Sequence, residues 1–137
     1  MSAKHAYSAA FRPPAPVVAL RAGVPGREPN IALSMLVDTG ADLSVLPGSV
    51  VQALALPQVS MTRIQGVTGA AERTAVHAVT LEFAGTTLLA EVVAWGDEGI
   101  LGRDVLNRFV LELDGPRATL SVSSPVPPAR RRLKRVR

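Results

Sequence analysis

One stretch constrains this chain more than any other. Leu33-Ser34-Met35-Leu36-Val37 is a mostly apolar run, and Asp38-Thr39-Gly40 follows it at once. Ala41-Asp42-Leu43 comes next, then Ser44-Val45-Leu46 and Pro47. A short apolar run bounded by turn residues reads as a buried strand. This one delivers a single acid, Asp38, into a turn of small residues. Asp and Gly suit a tight turn because the Asp side chain can bond nearby backbone and Gly tolerates close approach. Alone, the triplet is explained as punctuation at a strand end. The rest of the chain decides whether the carboxyl has a further use.

With 137 residues, one domain is expected. Apolar residues make up 47% and aromatics only 4%, so the core is aliphatic. Residues 1–16, with Pro13, Pro14 and Pro16 close together, read as a flexible arm. Strands are expected over Val17–Arg21 and Asn30–Val37, joined by a long Gly- and Pro-bearing loop. Leu43–Leu46 is a short apolar segment. Pro47 suits the first turn of a helix over Gly48–Leu54. Gln58–Gln65 and Glu72–Phe83 flank Gly66-Val67-Thr68-Gly69 and predict a β-hairpin. Thr86–Trp95 follows as a strand, then a short buried Ile100-Leu101, a short helix over Asp104–Phe109, and strands Val110–Asp114 and Ala118–Val122 around an Asp114–Arg117 turn. The pattern stops at Ser123. The sum, some eight short strands and two short helices, predicts an all-β fold: a small closed or nearly closed barrel over residues 17–122.

The net charge of +4 is set by the end of the chain. Arg130, Arg131, Arg132, Lys134, Arg135 and Arg137 supply six of the 15 basic residues. Without them 9 basic residues face 11 acidic ones, about −2. The body is mildly acidic, and 123–137 reads as a disordered Pro- and Arg-rich tail with a capacity for nucleic acid or anionic surfaces. There is no Cys, which excludes a disulfide scaffold and thiolate chemistry. His5 and His77 are far apart and give no metal-ligand cluster, so neither metal nor other cofactor is expected. No apolar run approaches membrane-spanning length, and the first residues make a poor secretory signal, so a cytoplasmic location is expected.

Peptide hydrolysis without a metal, Ser or Cys nucleophile needs a water made nucleophilic and a carbonyl polarised by an acid. Two carboxyls a few ångströms apart do both, since one holds a proton while the other acts as base. This chain offers one Asp-Thr-Gly, not two. A homodimer would bring Asp38 and its mate together on a two-fold axis.

Three segments, in order, resemble the retropepsins, the single-lobe retroviral-type aspartic proteases. They are Leu36-Val37-Asp38-Thr39-Gly40-Ala41-Asp42 with Val45-Leu46, the glycine-bearing hairpin Ile64–Gly69, and Ile100-Leu101-Gly102-Arg103-Asp104-Val105-Leu106. The resemblance covers about Val17 to Val122. It implies a retropepsin-type barrel with a flap hairpin, acting as an aspartic endopeptidase on peptide or protein substrates. It makes Asp38 the catalytic acid/base and gives Thr39 a hydroxyl that interlocks across the axis, beside Gly40. Ala41 and Asp42 would bind the substrate backbone, and Gly66, Val67, Thr68 and Gly69 would close over it. Arg103 would pair with Asp42 as a bidentate fork, and Trp95 to Ile100 would line a side-chain pocket. Activity is expected on the acid side of neutral. A second reading keeps the barrel and flap as a peptide-binding or scaffolding module with little catalysis.

Overall fold

The computed structural model describes residues 2–65 and 69–125. Its strands, in chain order, are β1 (Ser2–Ala6), β2 (Val17–Gly23), β3 (Ile31–Val37), β4 (Ser44–Leu46), β5 (Gln58–Ile64), β6 (Glu72–Phe83), β7 (Thr86–Ala94), β8 (Gly99–Leu101), β9 (Val110–Asp114) and β10 (Thr119–Ser123). Two helices interrupt them, α1 (Gly48–Leu54) and α2 (Arg103–Leu106).

The larger sheet runs β2-β3-β8-β4-β7-β6-β5, and β2 also pairs with β6. That extra pairing, Ala22 opposite Leu81, closes six strands into a barrel and leaves β5 attached to β6 alone. The fold is all-β, as expected. Closure removes the open edges that a twisted sheet of this size would otherwise present. Alternating side chains of the closed strands point inwards: Val18 and Leu20, Met35, Leu46, Val79 and Leu81, Val92, Leu101. They form one aliphatic core with Val105 of α2 and Leu120 and Val122 of β10.

Local chemistry accounts for the connections. β6 and β7 are joined by Ala84 and Gly85, both at positive φ (52° and 68°), as a two-residue primed turn requires. α1 starts after Pro47 and ends at Ala55 in the left-handed region (φ 49°), where the Ala55 and Leu56 N–H groups donate back to the Gln52 and Val51 carbonyls. Pro47 is the residue before the helix rather than part of its first turn.

The structure departs from expectation at both ends. Ser2–Ala6 is not a loose arm but β1, antiparallel to β10 in a second sheet of order β1-β10-β9. A Ser8–Ala15 bridge ties down the residues that follow. The apolar partners of β1 lie more than a hundred residues away, with Ala3 opposite Val122 and His5 opposite Leu120. β10 continues to Ser123, one residue past the expected stop. α2 spans Arg103–Leu106, earlier and shorter than Asp104–Phe109. Gly66, Val67 and Thr68 of the expected flap tip, and the basic tail, lie outside the described residues. Among the described residues no helix is long and apolar enough to cross a membrane.

His5 joins the two sheets. Its Nδ1 accepts the Ala19 N–H of β2 at 3.3 Å, and its Nε2 is buried with no partner among the described residues. Burial lowers its pKa from the usual 6.5. The unfolded chain therefore takes up the proton first as pH falls. The stability tied to neutral His5 is complete above about pH 6.5 and is lost as pH drops towards the folded value. We expect the thermal midpoint to fall between neutral pH and about pH 5, and to fall less in His5→Gln, whose amide oxygen can still accept from Ala19. Equal losses in both proteins would show that another group is responsible.

Candidate active site

Asp38 is the first residue after β3, and the backbone holds it from several sides. β3 and β8 pair in parallel, Leu36 opposite Ile100 and Val37 opposite Leu101. The Asp38 N–H continues this ladder to the Leu101 carbonyl at 3.0 Å, and the Val37 N–H donates to the Pro16 carbonyl at 3.0 Å. The loop then folds on itself. The Gly40 N–H donates to Asp38 Oδ1 at 2.9 Å, and the Ala41 N–H donates to the Asp38 carbonyl at 3.2 Å. One carboxylate oxygen is thus oriented by its own turn. Asp38 is half-buried, while Thr39 and Gly40 are exposed.

The Gly102–Asp104 segment braces this loop. Arg103 Nη1 donates to the Thr39 carbonyl at 2.7 Å, and Nη2 donates to Asp42 Oδ1. The guanidinium fork therefore divides between a carbonyl and a carboxylate instead of gripping one carboxylate. The Asp42 side chain is 82% exposed, so the ion pair itself adds on the order of 0–1 kcal/mol. What Arg103 contributes is position, because it and its own N–H, which donates to the Ala41 carbonyl at 2.9 Å, tie both sides of the turn to one residue.

Sequence reasoning missed a second layer beneath. Ser44, fully buried on β4, accepts the Gly102 N–H at 2.9 Å and donates to Asp104 Oδ1 at 2.8 Å. The Ser44 N–H reaches Asp104 Oδ2 at 3.2 Å, and the Val105 N–H also donates to Oδ1 at 2.9 Å. The available signal was a hydroxyl in an otherwise apolar strand, because a buried polar group needs a partner. Gly102 itself admits no side chain: a Cβ there would lie 2.7 Å from the Leu43 carbonyl carbon and oxygen.

A groove of about 300 Å³ opens beside the loop, bounded by Gly40, Ala41 and Asp42 on one side and by Arg63, Ile64 and Gln65 of the β5–β6 hairpin on the other. Val45, Trp95 and Ile100 form its apolar wall, and Trp95 to Glu98 with Ile100 also enclose a smaller hollow of about 180 Å³. A concavity of about 440 Å³ adjoins the groove through Leu43 and Val93. The structure thus brings Gly40, Ala41, Asp42 and Ile100 to one groove; Asp38 and Thr39 precede Gly40 in the same turn, and Arg103 braces it from outside the groove lining. Gly66, Val67 and Thr68 cannot be placed, and Gly69 is described at φ 153°, a conformation that favours glycine. Among the described residues no three His, Asp or Glu side chains cluster as metal ligands would.

Residues 28–108 match the model of the family described as "gag-polyprotein putative aspartyl protease", a span of more than half the chain. The chain belongs to this aspartyl protease family. No curated protein matches it significantly. Among solved structures, the retropepsin-like aspartic protease from Rickettsia conorii is similar over 89% of each chain at 18% identity, with a TM-score of 0.67. The EIAV protease complexed with the inhibitor HBY-793 is 26% identical, covering 68% of this chain and 86% of that one, with a TM-score of 0.50. The barrel is therefore of the retropepsin type. The matched span contains both the Asp38 turn and the Arg103 brace of this family member.

The brace can be tested apart from activity. Ser44→Ala strands the Gly102 N–H and part of the Asp104 carboxylate, which should cost about 1–3 kcal/mol. Gly102→Ala forces the Leu43 backbone to move and should cost a similar amount, about 1–3 kcal/mol. Urea unfolding measures both. Losses well under 0.5 kcal/mol, the range of neutral surface changes, would show that this layer does not hold the turn.

Proposed function

We propose that this chain is an aspartic endopeptidase that hydrolyses peptide bonds as a homodimer, the Asp38 carboxyls of two copies meeting on a two-fold axis. The observation that supports it most is the state of Asp38. One carboxylate oxygen is oriented by Gly40, the backbone is pinned to Leu101, and the turn's Gly40, Ala41 and Asp42 line a groove of about 300 Å³. One such turn per chain, with Thr39 and Gly40 exposed, leaves room for a second carboxyl to arrive from outside. The protease domain is assigned to residues 2–123, wider than the expected 17–122, because β1 pairs with β10 and packs on the same core.

In the dimer the two carboxyls share one proton, and the charge belongs to the pair. The ionised member takes a proton from water as its oxygen attacks the scissile carbonyl carbon, and the protonated member gives its proton to the carbonyl oxygen. Collapse of the resulting diol, with a proton passed to the leaving nitrogen, breaks the C–N bond. Thr39 interlocks the two turns. Gly40, Ala41 and Asp42 offer backbone and carboxylate to the extended substrate, Ile100 and Trp95 supply a side-chain wall, and residues 66–69 close over the peptide and exclude water.

Asp38→Asn should reduce cleavage of a peptide library to background while leaving the circular dichroism unchanged and stability within about 1 kcal/mol. Cleavage that survives the substitution would refute the mechanism. Activity should peak on the acid side of neutral and decline as the shared proton is lost. A rate that climbs steadily through alkaline pH would contradict it.

A further inference from the structure

We infer that the small hollow lined by Trp95, Asp97 and Glu98 selects a cationic side chain, arginine before lysine, from the peptide in the groove. The inference rests on the peptidase reading above and names the substrate class of that same site. The hollow encloses about 180 Å³ and is lined by Val45, Trp95, Gly96, Asp97, Glu98 and Ile100. Val45, Trp95 and Ile100 also line the main groove, so the two spaces are continuous. Backbone pairing fixes the hollow beside the Asp38 turn. Ile100 stands opposite Leu36 in the β3–β8 ladder, and Leu101 next to it accepts the Asp38 N–H at 3.0 Å.

The walls suit a long apolar stem with a charged head. Val45 and Ile100 are half-buried, and Trp95 is 56% exposed, a large aromatic surface that its own chain leaves uncovered. The interior of the hollow is mostly apolar although two acids line it, which sets their carboxylates at its mouth. Asp97 and Glu98 are exposed, and among the described residues neither pairs with a basic side chain. Lysine and arginine lay their stems along apolar surface and keep the charged head in water. Here the stem would lie on Val45 and Ile100, with the head between Trp95 and the two carboxylates. Arginine gains most, because its planar guanidinium stacks on an indole face and can fork to a carboxylate.

Two exposed acids on a loop need no ligand, because water solvates both. What singles this pair out is its company. The loop sets it at an open apolar space that adjoins the Asp38 turn. The groove's own cation, Arg63, belongs to the hairpin across from it and does not line the hollow. A neutral apolar side chain would fill the space and leave both charges without a counterpart, and an acidic one would be repelled. A single exposed ion pair is worth little, but two acids and an aromatic face together supply roughly tenfold in affinity.

Trp95 is the chain's one tryptophan, so its fluorescence reports occupancy of the hollow without any cleavage. The probes are short peptides with one position varied among arginine, norleucine and glutamate, titrated into the whole chain carrying Asp38→Asn. Arginine should bind roughly tenfold tighter than norleucine, with glutamate weakest, and the advantage should shrink as salt is raised. Asp97→Asn combined with Glu98→Gln should bring arginine down to the level of norleucine. The unaltered protein should show the same order of preference in kcat/KM. Arginine no better than norleucine, or an advantage that survives the double substitution, would overturn the inference. Should the double variant fail to fold, Glu98→Gln alone and the salt dependence decide. The peptidase reading fails separately: arginine-selective binding without cleavage by the unaltered protein supports the hollow and refutes the enzyme.

Discussion

The site depends on one close contact between distant parts of the chain. Gly102 lies against the Leu43 and Ala41 carbonyls so tightly that no Cβ fits. Everything around Asp38 follows from that approach. It lets the Gly102 N–H reach Ser44 inside the barrel and lets the Arg103 side chain, 64 residues from Thr39 in sequence, hold the Thr39 carbonyl. A side chain at Gly102 would separate the two segments and break both layers together. The contact is short-range and steric, whereas the visible ion pair between Arg103 and Asp42 is exposed and weak. Position here comes from packing and backbone hydrogen bonds, with charge as a minor addition.

The barrel explains why the contact exists at all. β8 has only three residues, yet it pairs in parallel with β3 and antiparallel with β4 through Ile100. It therefore fills the gap between the strand that enters the Asp38 turn and the strand that leaves it. The turn must bulge from the barrel at that point, because β3 and β4 are not neighbours. β5 stays outside the closed ring and projects with β6 over the groove. The same topology that closes the core thus leaves one concave margin, bounded by the turn on one side and the β5–β6 hairpin on the other.

Much of this was legible because the local signals were strong. The strands over Gln58–Gln65 and Glu72–Phe83, the helix after Pro47 and the turn at Asp114–Arg117 each follow from a few adjacent residues. So does the apolar delivery of Asp38. The misses share a physical cause, which is that their partners lie far away in sequence. Residues 1–16 carry Lys4, His5 and a Pro cluster, and nothing nearby shows that Leu120 and Val122 would cover Ser2–Ala6. Ser44 was one more residue of a short apolar run until Gly102 and Asp104 arrived opposite it. The division of the Arg103 fork could not be foreseen either, since the Thr39 carbonyl has no signature in the side-chain sequence.

A site held in this way is ordered before anything binds. Asp38 Oδ1 already has its Gly40 donor, and the turn is tied to β8, to Arg103 and, through Gly102, to a buried serine. On the proposed reading the second copy then contributes a carboxyl and a two-fold axis without having to fold the turn. Association would lose mainly rigid-body freedom and little loop entropy. The groove residues stand differently. The β5–β6 hairpin hangs from the barrel by β6 alone, with a register irregularity between Gln58 and Ser60, and Arg63 and Gln65 are exposed. Fewer packed contacts mean lower local stability. The chain thus combines a turn fixed by backbone geometry with a less supported margin across the groove from it.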